Sequence, residues 1–176
     1  MPSYRPPYGL SSILTILPEE ESGAMRRSER KLKTPDLGIL AVRLLFGVQS
    51  ELFRRAAQHG FGDLRPRHGA VLAYLDEDGI RLVDLARIAG RNKQTIAATL
   101  DELEKLGYVY RATDAPDRRA KLIMPTQRGL EVMQLSNEIL ADIEAHYAEQ
   151  LGQRRYAQFK RALRTVTGQG VVGETE

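Results

Sequence analysis

The sequence predicts a mainly α-helical fold with a small β wing. Three features lead there. Apolar residues recur in steps of three and four across Leu37, Leu40, Ala41, Leu44, Leu45, Val48, Leu52 and Phe53. Two short helical segments flank a tight turn at Gly90. Past Gly107 the period becomes extended, over residues 108–111 and again over 121–124. Together these describe a winged helix-turn-helix flanked by N- and C-terminal helices.

The elements follow in order. Residues 1–34 read as an acidic and basic tail, disordered or a loosely attached arm. Pro2, Pro6, Pro7 and Pro18 interrupt it, Glu19, Glu20 and Glu21 follow, then Arg26, Arg27, Arg30, Lys31 and Lys33, and no apolar period crosses it. Met25 is a candidate start of translation. The apolar stretch 9–17 is broken by Ser11, Ser12 and Thr15, and a spanning helix needs about 20 apolar residues. Only Arg5 precedes it as a basic side chain, and no small-residue cleavage site follows, so a signal peptide is not expected. A cytoplasmic location is expected.

The folded domain is expected over 35–166. Asp36 is a plausible N-cap for a helix of about six turns, ending near Gly60. A second helix opens at Arg65 and Pro66, since proline suits a first turn, with Ala70, Val71, Leu72 and Leu75 apolar. Asp76 to Gly79 form a turn. Residues 80–82 are extended, and Val83, Leu85, Ala86, Ile88 and Ala89 make a short helix. Asn92 caps the next, whose stripe is Ile96, Leu100, Leu103 and Leu106. A polar tip over 113–119, containing Pro116, joins the two strands of the wing. Across the wing, Arg111, Arg118, Arg119 and Lys121 outnumber Asp114 and Asp117. A long helix starts at Thr126, with Val132, Leu135, Ile139, Ile143 and Tyr147 in period. A last helix covers about 154–166, and residues 167–176 read as a frayed end. Thus 64–126 form the winged part, flanked by the helices of 36–60 and 126–166.

Composition mainly excludes. The 176 residues carry a formal net charge of +3, too small a surplus to assign a partner. There is no cysteine, which removes disulfides, thiolate zinc sites, cysteine nucleophiles and thiol redox sensing. His59, His68 and His146 stand at no metal-ligand spacing, so neither metal nor cofactor is expected. No phosphate loop, dinucleotide fingerprint or nucleophile elbow occurs, and no enzymatic role is expected. Asp101 and Glu102 lie on a helix whose opposite face is core and need no catalytic account.

The region from about Leu37 to Val166 resembles the MarR family of transcriptional regulators. The match is strongest over 80–129: Leu85-Ala86, Gly90, Asn92-Lys93-Gln94-Thr95-Ile96, Leu100-Asp101-Glu102-Leu103-Glu104, Gly107, Val109 and Asp117-Arg118-Arg119-Ala120-Lys121, with Thr126 and Gly129 opening the long helix. The Asp-Arg-Arg triplet behind the recognition helix is its most specific feature. The resemblance implies a homodimer of interlocked terminal helices whose recognition helices lie about 34 Å apart on a palindromic double-stranded DNA site, most often as a repressor released by a small ligand.

On that basis the DNA-binding residues are Asn92, Lys93, Gln94, Thr95, Ala97, Ala98, Arg118, Arg119 and Lys121. Gln94 can pair with adenine, Lys93 with guanine or phosphate. For Asn92 and Thr95, helix capping alone is an equal explanation. Many relatives place Thr and Arg where this chain has Ala97 and Ala98, so base readout is expected to be thin, with more weight on the wing and on DNA shape. Arg119, with Arg118, suits the minor groove; alternatively Asp117 pairs with one of them and shapes the hairpin. The resemblance also suggests a pocket for a small aromatic or anionic effector near Phe46, Arg67, His68 and Tyr74, with Val71 as core. The competing reading is a winged-helix assembly module without sequence-specific DNA binding.

Overall fold

The computed structural model describes residues 25–113 and 121–168. The elements are α1 (Arg27–Lys33), α2 (Leu37–Gln58), α3 (Pro66–Leu72), β1 (Ile80–Arg81), α4 (Leu82–Ile88), α5 (Lys93–Lys105), β2 (Val109–Thr113), β3 (Lys121–Pro125), α6 (Gln127–Leu151) and α7 (Gln153–Gly168). This is the expected mainly helical chain with a small antiparallel wing. Two compact units, residues 1–50 and 51–176, meet within α2.

In the first unit, part of the stretch read as a tail is helical. α1 buries no residue, so no apolar stripe announces it. Its ends are held by local polar bonds: the Arg26 N–H donates to Glu29 (2.9 Å) and Lys31 pairs with Asp36. Asp36 does cap α2, accepting the Ile39 N–H at 3.0 Å. The Lys31 hydrogen bond, seconded by that N–H, holds the Asp36 carboxyl below its ordinary pKa. Along α2, Leu37, Leu40, Leu45 and Phe46 are exposed. Residues 1–24 and 169–176 lie outside the described residues.

The second unit is built round one core. Val71, Leu85, Ile96, Leu100, Leu103 and Ile123 meet there from α3, α4, α5 and β3, each no more than 2% exposed. The sheet order is β1-β3-β2, with Ile80 opposite Ile123 and Ile123 opposite Arg111. The extended segment before α4 ends at Arg81, because Leu82 already begins the helix. β2 begins one residue later than expected. Gly107 turns the chain at φ +76°, a conformation open to glycine. The Tyr108 N–H is then spent on the Leu103 carbonyl (2.9 Å), closing the C-terminus of α5 rather than extending the strand.

The long helix is anchored at its start. Thr126 caps α6 by accepting the Gly129 N–H (3.1 Å) while its hydroxyl donates to the Gly107 carbonyl (2.6 Å). Gly129 admits close backbone contact: a Cβ there would lie 2.2 Å from the Tyr108 carbonyl oxygen. Further along, Asp142 of α6 pairs with Arg55 (2.7 Å), and Glu144 accepts Lys160 of α7 (2.5 Å). α7 buries no residue; Phe159, Leu163 and Val166 are exposed along it.

Candidate nucleic-acid interface

α4, the turn at Gly90 and α5 form the helix-turn-helix. Gly90 takes φ +61°, which permits the reversal. α5 buries Ile96, Thr99, Leu100 and Leu103, and this apolar stripe sets the rotation of the helix. The opposite face of its first turn is left to solvent, so Asn92, Lys93, Gln94, Thr95 and Ala98 are exposed and Ala97 is half-buried. The Asn92 side chain accepts the Thr95 N–H at 2.8 Å, a bond typical of an N-cap. Thr99 returns its hydroxyl to the Thr95 carbonyl (2.9 Å). The first turn thus offers one cation, one amide and an alanine, with no acidic residue.

Lys121, at the start of β3, is exposed as well. Arg118 and Arg119 fall in 114–120, outside the described residues. Arg111, counted in the wing's charge, is engaged elsewhere: it bonds both Asp101 (2.5 Å) and Glu104 of α5.

Glu102, between those two acids in sequence, faces α3. His68 is buried there at 1% exposure. Its Nδ1 accepts the Arg65 N–H (3.1 Å), so Nε2 carries the hydrogen that meets Glu102 Oε2 at 2.9 Å. Arg67 Nε donates to the same oxygen at 2.6 Å. The bond from His68, then that from Arg67, lowers the Glu102 pKa. The recognition helix is thereby tied to α3 by a shared carboxylate.

A second polar knot lies where α5 ends. Arg128, in the first turn of α6, donates to the Leu106 carbonyl (2.8 Å) and to both oxygens of Asp63 (3.2 and 3.0 Å). The Tyr108 hydroxyl donates to Asp63 at 2.6 Å. Burial opposes ionisation of Asp63, but the Tyr108 bond and the Arg128 charge outweigh it and hold the carboxyl below its usual range. Burial, then Asp63, keep the Tyr108 hydroxyl protonated well above its usual range.

The residues suggested for an effector pocket are distributed as follows. Phe46 belongs to the first unit and is exposed; Arg67, His68 and Tyr74 belong to the second. Arg67 and His68 both engage Glu102, Tyr74 is exposed, and Val71 is core. Sequence reasoning missed the Asp63–Tyr108–Arg128 knot and the partners of Glu102 and Arg111. For Arg111 a signal was present: a glycine turn at 107 doubles the chain back, carrying a lone arginine towards an acidic run.

Among the described residues no group of His, Asp and Glu could hold a metal ion, and no helix is long and apolar enough to cross a membrane.

Residues 63–120, which contain α3 to β2 and the start of the wing, match the model of the MarR family. The chain is 29% identical over 108 residues to the transcriptional regulator HosA of Escherichia coli, covering 61% of this chain and 80% of that protein. In fold, the chain is similar to MepR of Staphylococcus aureus in its DNA complex, with 23% identity, TM-score 0.65, and 77% and 99% of the two chains covered. It is likewise similar to CouR of Rhodococcus jostii RHA1 bound to p-coumaroyl-CoA, with 24% identity, TM-score 0.62, and 81% and 96% covered. CouR bound to a 23-mer DNA duplex gives 23% identity, TM-score 0.64, and 82% and 99% covered.

Proposed function

We propose that this chain is a transcriptional regulator of the MarR family, a cytoplasmic homodimer that binds a palindromic double-stranded DNA operator, acts as a repressor and is released by a small aromatic or anionic effector. The observation that carries the DNA reading is the first turn of α5: capped by Asn92, free of acid and solvent-facing at Lys93, Gln94 and Ala98. Lys93 and Gln94 would make the long-side-chain contacts to the major groove, Ala97 and Ala98 at most methyl contacts to thymine. Arg118, Arg119 and Lys121 would add the wing's contribution to the minor groove and phosphates. The solved DNA complexes of MepR and the repressor CouR support this reading by likeness of fold.

The dimer reading is supported by apolar surface. Leu37, Leu40, Leu45 and Phe46 on α2, and Phe159, Leu163 and Val166 on α7, are exposed in the single chain, and a second copy is the self-complementary way to cover such stripes. The effector reading is supported by the CouR complex with p-coumaroyl-CoA. Arg67, His68 and Tyr74 of the second unit stay its candidate residues, with the condition that an effector carboxylate would compete with Glu102 for Arg67 and His68.

Sequencing of genomic DNA captured by the purified protein tests the function, followed by gel shifts on the recovered sites. A shared palindromic motif is expected. Absence of any shift at low salt would favour the assembly-module reading. Sedimentation of the free protein tests the dimer: Leu163→Glu should shift the mass towards the monomer if the stripe is an interface.

A further inference from the structure

We propose that Arg111 is a positioning residue that fixes the angle of the wing against the recognition helix and makes no phosphate contact. The proposal rests on the DNA-binding reading above. Arg111 stands directly opposite Ile123 in the β2–β3 ladder, so both side chains leave the same face of the sheet. Ile123 is 2% exposed and packs in the core with Leu100 and Leu103 of α5. The guanidinium is therefore directed at the recognition helix, not away from it. Asp101 and Glu104 are one helical turn apart there, on one side of α5. The fork of Arg111 takes both, Nη2 to Asp101 Oδ1 at 2.5 Å and Nη1 to Glu104 Oε2. The Arg111 side chain is 27% exposed.

Two further facts make this a tether. An open cleft of about 630 Å³ lies beside Arg111, between the strands and the start of α4, with Leu82, Leu100, Lys121 and Ile123 in its lining. Arg111 stands at its edge, and its ion pairs with Asp101 and Glu104 join β2 to α5 beside it. The charge also points away from a DNA contact. Two carboxylates around one guanidinium leave the group net negative, which repels phosphate. Arginine suits the role because its planar fork fixes two carboxylates at once, whereas a lysine ammonium is a point charge.

The test uses the full chain and an operator duplex recovered as above, with affinity measured across a range of salt. Arg111→Gln is expected to weaken binding about tenfold, equivalent to about 1.4 kcal/mol, with an unchanged salt slope. A slope reduced by about 0.9 would mean a lost phosphate contact and overturn the proposal. The double variant Asp101→Asn/Glu104→Gln removes two negative charges yet is also expected to weaken binding; a rise in affinity overturns the proposal. Combining all three changes should cost no more than the worse parent, and simple additivity overturns it. Arg111→Lys should behave like Arg111→Gln, and full affinity in that variant would show that charge alone suffices, against the proposal. Hydrogen exchange of β2 and β3 amides in the DNA-free protein supplies an independent arm. Faster exchange in Arg111→Gln is expected and unchanged exchange sinks the tether, even if the wild type binds no duplex and the functional reading fails.

Discussion

The Arg128 guanidinium carbon lies 4.4 Å from the centre of the Tyr108 ring. The same side chain holds Asp63, and Tyr108 does too, so cation, ring and carboxylate form a closed triangle. It joins the first turn of α6 to the end of the recognition helix. Tyr108→Phe keeps the ring and deletes only the hydroxyl. It should cost about 1–2 kcal/mol in urea denaturation. Arg128→Ala also releases the Leu106 carbonyl and should cost more. Equal losses would show that the hydroxyl bond carries the whole contribution.

Acid stability should depend on Asp63. Its folded pKa is lowered from the ordinary 3.8. A lowered carboxyl contributes stability that is full above the ordinary value and is lost as pH falls through the folded one. Asp63→Asn should therefore flatten the stability curve between about pH 5 and pH 2. Thermal midpoints across that range check it, and parallel curves for the two proteins would count against it.

Gly129→Ala should be among the costlier single changes in the second unit. Its Cβ would meet the Tyr108 carbonyl oxygen at 2.2 Å, and that oxygen is backbone, fixed by its bond to the Thr126 N–H. Overpacking of this kind costs about 1–3 kcal/mol. Unfolding by calorimetry would register it; a neutral result would mean that the start of α6 can shift away from the strand.

The two roles suggested for the opening of α5 separate experimentally. Asn92→Ala removes the cap to Thr95 and should cost about 1 kcal/mol of stability. Lys93→Ala should leave stability alone, weaken DNA affinity across sequences and lower the salt slope by about one. If Lys93→Ala changes stability but not affinity, its assignment to DNA is lost.

Much of the fold was legible because burial repeats with the period of the element. The stripe Ile96, Leu100, Leu103 shows α5 and its buried face, and Gly90 and Gly107 punctuate the helices where the backbone takes φ above zero. α1 was not legible, because it buries nothing and depends on local polar bonds. The exposure of Lys93, Gln94 and Ala98 followed from the stripe, since what lies opposite a buried face meets solvent, while Ala97, expected to be exposed with them, borders the stripe and is half-buried.

The sequence by itself determined the order of the elements, the recognition helix and its outward face, and the family likeness carried by that order. Only the tertiary structure decided where the charges went. His68 finds Glu102 across 34 residues, and Arg128 finds Asp63 across 65. Arg111, a wing cation by position in the chain, is spent on the acids of α5. The physical reason is one of range. Apolar periodicity is a local property, written within a few turns of one element. An ion pair is chosen by proximity and geometry after segments have packed, and spacing along the chain hints at it only where a nearby turn doubles the chain back, as Gly107 does for Arg111.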